Sequence, residues 1–133
     1  VFVVLGAEPG PRTGWNVPIE GRGPDFVLEI HDIGDRSAEV TRNVERFAQL
    51  GIPEYFAMEL EPWRLSGWRL DPESNQYSAL PPQCGLLESA TLGLQLALDE
   101  TRTRFYAAGV SLPDHEDLIS QMAAKREKLL CRP

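Results

Sequence analysis

The chain has 133 residues, 42% of them hydrophobic and 25% charged, which is one domain with a core of its own and excludes a disordered chain. No apolar run approaches the ~20 residues that a bilayer-crossing helix needs, and Cys84 and Cys131 form no C-x-x-C pair, which excludes a cysteine-rich zinc site and a disulfide scaffold and fits a reducing cytoplasm. With 20 carboxylates against 13 bases, a formal charge of −7, the whole-molecule field repels phosphates and excludes a protein that coats nucleic acid generally.

Val1 to Leu5 is β-branched and aromatic and predicts a strand. The chain opens on Val1 rather than Met, with no basic stretch before its apolar residues, so it does not read as a signal peptide. The expectation is an N-terminally truncated fragment whose first strand is met at its first residue. Gly6 to Gly23 holds five glycines and three prolines and predicts a long loop. Asp25 to His31, D-F-V-L-E-I-H, predicts a largely buried strand.

The period then changes. Val40, Val44, Phe47 and Gly51 recur at helical spacing, so Asp35 to Leu50 predicts a helix, with Asp35 as N-cap and Gly51 just past its end. Glu54 to Leu60 predicts a strand. Arg64 to Leu70 and Gln76 to Leu80 predict two antiparallel strands joined through the turn-rich Asp71 to Asn75. Leu92 to Leu98 is ambiguous, and Arg104 to Ala107 reads as a short strand. Pro113 sits at the first turn of a last helix, with Leu118, Met122, Lys125 and Leu129 on one side. This order predicts an α/β or α+β fold: one mixed sheet with a helix packed on it, residues 1–112 as a domain and 113–133 as a helical extension. The expected core is Val27, Val40, Val44, Phe47, Ile52 and Tyr55.

Phosphate-binding glycine loops, a nucleophile elbow and H-E-x-x-H are all absent. Carboxylate chemistry remains. Glu29 is a charge inside an apolar strand, and a buried carboxylate needs a cation or strong donors. Mg²⁺ is one such cation; an arginine or open solvent would serve equally. By alternation Glu29 shares a face with Val27 and His31. Asn43 falls about 60° from the helix's apolar stripe, so its amide is aimed toward the sheet or bonds to nearby backbone.

Gly23-Pro24-Asp25-Phe26-Val27-Leu28-Glu29-Ile30, followed after twenty residues by Gly51-Ile52-Pro53-Glu54-Tyr55-Phe56, resembles the Uma2 family of restriction-endonuclease-like proteins in the PD-(D/E)XK nuclease superfamily. The likeness covers roughly residues 1–110. It implies a restriction-endonuclease-like mixed sheet flanked by helices, Mg²⁺-dependent DNA hydrolysis in the cytoplasm, and a homodimer. Residue by residue it implies that Glu29 is a metal ligand, with the backbone carbonyl of Ile30 completing the shell. The partner Asp of the family would immediately precede Val1. The family's helix Lys falls at Asn43, which carries no charge to stabilise a developing phosphorane. His31 takes the Lys slot of the generic E-x-K motif and would substitute in part. Two functions follow: a weakly active or degenerate Mg²⁺-dependent endonuclease-like domain, or a catalytically inactive binding or assembly module of the same fold. A small-molecule enzyme reusing the cleft is a third.

Overall fold

The computed structural model describes residues 1–32, 37–100 and 102–131. The elements run β1 (Phe2–Val3), α1 (Val17–Glu20), β2 (Phe26–His31), α2 (Ser37–Gln49), β3 (Glu54–Leu60), β4 (Trp63–Asp71), β5 (Gln76–Ala79), β6 (Leu87–Ser89), β7 (Leu94–Asp99), β8 (Arg102–Ala107), β9 (Val110–Ser111) and α3 (His115–Leu130). The fold is α+β. The first five strands form one sheet in the order β1-β2-β3-β4-β5, and the last four form a second sheet in sequence order.

The first sheet is mixed. β1 pairs antiparallel with β2, and β2 runs parallel to β3, with Val27 opposite Tyr55 and Glu29 opposite Ala57. A parallel pair needs a crossover, and α2 supplies it. The helix ends in a Schellman motif. Gly51 sits at φ +72°, its N–H donates to the Ala48 carbonyl at 3.0 Å, and Ile52 N–H donates to Phe47 at 3.1 Å. The motif turns Ile52 back under α2. Asp35, the expected N-cap, lies outside the described residues.

Alternation along β2 and β3 gives the sheet two buried faces. On one, Val27, Ile52, Tyr55 and Ala57 pack against Val40, Val44 and Phe47 of α2, with Trp68 and Tyr77 alongside. All six expected core residues belong to this cluster; Val44 and Phe47 are its partly buried members. Tyr55 stacks on Trp68 with ring centroids 5.3 Å apart and meets Phe47 edge-on at 4.9 Å.

The other face carries Phe26, Leu28 and Phe56, and these pack on Leu87 and Leu96 of the second sheet. The expectation of one sheet flanked by helices is thus corrected to three layers, helix on sheet on sheet. Leu94–Asp99, ambiguous in sequence, is a strand; β6 and β9 were too short to show a period. The long N-terminal loop contains α1, capped by Asn16. The last helix starts later than expected. Asp114 is its N-cap, with a full capping box to Asp117, and Pro113 precedes the cap instead of sitting in the first turn. None of the described residues of α3 is buried.

Candidate functional site

β2 presents Val27, Glu29 and His31 on the α2 side, and α2 presents Asn43 toward them. Asn43 Nδ2 donates to Glu29 Oε1 at 2.9 Å, across a sequence separation of 14. The pair is half-buried. It joins the carboxylate from inside the strand to the amide near the edge of the helix's apolar stripe.

Tyr55 lies beside the pair and is fully buried. Burial first, and then the adjacent Glu29 carboxylate, push its phenol far above the ordinary tyrosine range. The Tyr55 hydroxyl therefore stays protonated near neutral pH. It makes no well-formed hydrogen bond, although Glu29 and Asn43 are its polar neighbours.

His31 is buried on the same face, cross-strand from Glu59. Its Nε2 has no hydrogen-bond partner, and no side-chain bond links it to Glu29 or Asn43 among the contacts of the described residues. Ile30 points to the opposite side and is 57% exposed, so only its backbone carbonyl is available as a ligand. Asp25 is turned away from the pair. Its carboxylate accepts from Leu5 N–H at 2.7 Å and pairs with Arg22, which pins the long loop to the start of β2.

The sequence reading missed two further carboxylates. Glu59 is buried and bound by Arg64 at 2.7 Å. Glu54, on the opposite face, accepts from Ser89 Oγ at 2.9 Å and from the backbone N–H groups of Ala90 and Thr91 at 3.1 and 2.7 Å. Arg69 pairs with it and also reaches the Glu88 carbonyl. Glu54 is thus a buried polar link between the two sheets. E-Y-F-A-M-E-L sets a carboxylate at its first and its sixth position, near the ends of an apolar run rather than inside it.

The resemblance implies Mg²⁺, and the described residues fit it poorly. Among them no three His, Cys, Asp or Glu side chains converge so as to hold a metal ion. Glu29 has one oxygen engaged by Asn43, whereas Mg²⁺ demands near-octahedral oxygen coordination. Along the outer side of α2, Asn43 opens onto a shallow depression whose charges are mixed, Arg42 and Arg46 with Glu39 and Glu45. No helix among the described residues is long and apolar enough to cross a membrane.

No family model, no curated protein and no solved structure matches this chain.

Proposed function

We propose that the chain is a restriction-endonuclease-like domain, akin to the Uma2 family, in which phosphodiester hydrolysis is weak or lost. The observation that carries the proposal is the Asn43–Glu29 hydrogen bond. The sequence resemblance aligns these two positions with a metal-binding Glu and a helix Lys. The antiparallel hairpin, the helix and the parallel strand in the order β1-β2-α2-β3 are compatible with that reading. So is the hairpin register. Val1 exchanges hydrogen bonds with Leu28 in both directions, each 2.8 Å, so a residue placed before Val1 in β1 would stand across from Glu29.

The chemistry argues for loss. A lysine beside the reacting phosphate supplies a charge that an amide does not, and one such donor is worth about 3 kcal/mol of transition-state stabilisation. The net charge of −7 adds no attraction for DNA. A domain of this kind keeps the fold without the chemistry and serves as a binding or assembly module.

Plasmid nicking with Mg²⁺ or Mn²⁺ tests the proposal. The unmodified chain leaves supercoiled plasmid intact or nearly so. Asn43→Lys, combined with an upstream extension that places an Asp before Val1, raises nicking, and Glu29→Ala abolishes the gain. Robust cleavage by the unmodified chain that Glu29→Ala removes would show an active nuclease. No cleavage after both restorations would leave the binding module as the function.

A further inference from the structure

Among the described residues, side-chain ion pairs hold the C-terminal helix at its first turn. Asp114 and Asp117 form its capping box. Arg102 of β8 pairs with Asp114, and Arg104 donates to Asp117 at 2.5 Å. Beyond this first turn the helix buries nothing among the described residues. Leu118, Ile119, Met122, Leu129 and Leu130 are 46–74% exposed. At ~100° per residue these five side chains fall in one arc of about 120°, shared with His115 and Arg126 and roughly opposite Asp117, the residue that ties the helix to β8. The apolar arc therefore faces away from the sheets. A lone helix of 16 residues is marginal in water, so this one gains by pairing.

The charges select the partner. At the first turn Asp114 and Asp117 are held by Arg102 and Arg104, and Glu116, its side chain 88% exposed, lies 3.9 Å from Arg102; the last turns carry Lys125, Arg126 and Lys128 against Glu127. Side by side in the same direction, two such helices would set acid against acid and base against base. Run in opposite directions, each acidic end meets a basic end, and the two helix dipoles are antiparallel as well. We propose that α3 pairs antiparallel with α3 of a second copy of this chain, centred near Met122, with Arg126 of each copy facing Glu116 of the other. This surface is independent of the Glu29 site. A contact between helices about 24 Å long belongs to the small, weak class of interfaces, so the dimer forms in the micromolar range.

Sedimentation equilibrium on the full chain, from about 1 μM to about 1 mM, shows a monomer–dimer equilibrium. Met122→Glu moves the dissociation constant up at least about tenfold; at concentrations where both chains are monomeric its circular dichroism and Tm match those of the unmodified chain, since Met122 is 72% exposed. Glu116→Arg or Arg126→Glu alone weakens the dimer, and the double variant restores it. Orientation is read by oxidation in a Cys84→Ser background. Cys131 stays unlinked because antiparallel pairing holds the two copies of it at opposite ends. Met122→Cys in a Cys84→Ser, Cys131→Ser background cross-links. A chain that stays monomeric throughout the range overturns the proposal. So does a dimer indifferent to Met122→Glu, ready cross-linking through Cys131, or a monomer whose α3 binds anionic lipid vesicles instead.

Discussion

Asn43 stands where a longer, charged side chain would change the chemistry of its neighbour. As an amide it gives Glu29 one neutral donor at 2.9 Å and leaves the carboxylate its charge. Replacing Asn43 with Leu removes the donor from a half-buried carboxylate, and such a loss costs about 1–3 kcal/mol. Urea denaturation of Asn43→Leu is expected to show that drop; unchanged stability would mean that solvent already satisfies Glu29. Gly67 is a second position where one atom decides. It lies opposite Phe56 in the β3–β4 ladder, and an added Cβ would come within 2.6 Å of the Phe56 ring. That ring is fully buried between the sheets and has nowhere to move. Gly67→Ala is expected to destabilise by about 1–3 kcal/mol, read as a lower denaturant midpoint with an unchanged slope. At this scale the sequence was legible where a residue broke its local pattern. Glu29 in an apolar strand and Asn43 at the edge of an apolar stripe both stood out, and the structure joins them. Glu54 and Glu59 broke the pattern equally but occupy strand ends, where a charge reads as solvated. Their partners, Ser89 and Arg64, lie on elements that the strand pattern of β3 does not reveal.

α2 was legible as an element because its signals agree: helical spacing of Val40, Val44 and Phe47, then Gly51 where a positive φ closes the Schellman motif. Its stability comes from the stripe. Phe47→Ala removes the ring that meets Tyr55 edge-on and is expected to cost about 3 kcal/mol in urea denaturation; a change below about 1 kcal/mol would mean that α2 packs elsewhere. α3 was legible as a helix but not as an unburied one, because its apolar side chains carry the same spacing as a core stripe. What fixes it to the body is electrostatic. The Arg104 hydrogen bond, and then the capping N–H of Asp114, hold the Asp117 carboxyl down at about 2, from an ordinary 3.8. A depressed carboxylate contributes stability above its ordinary value and loses it as pH falls through the depressed one. The anchor is therefore constant from neutral pH down to about pH 4 and fails only toward pH 2. A carboxyl-carbon NMR titration of Asp117 with its midpoint near 2 bears this out, and a midpoint near 4 contradicts it.

For the whole molecule, the sequence carried the first sheet, its helix and the strand at Arg104 to Ala107, but not that the later strands form a second sheet. The reason is packing. In the first sheet, β3 and the first half of β2 are buried on both faces and read as apolar runs. The later strands form a meander whose β6 and β9 have three and two residues, shorter than any period that reveals a strand. The second sheet covers Phe26, Leu28 and Phe56, so it settles which face of β2 stays open to α2 and hence where Glu29 points. Asn43 holds one oxygen of Glu29, and Mn²⁺ titration followed by NMR line broadening reads whether a metal competes for that carboxylate. Residues 27–31 and Asn43 are expected to broaden no more than the exposed acidic surface does. Selective broadening of those residues at sub-millimolar Mn²⁺, abolished by Glu29→Gln, would contradict that expectation.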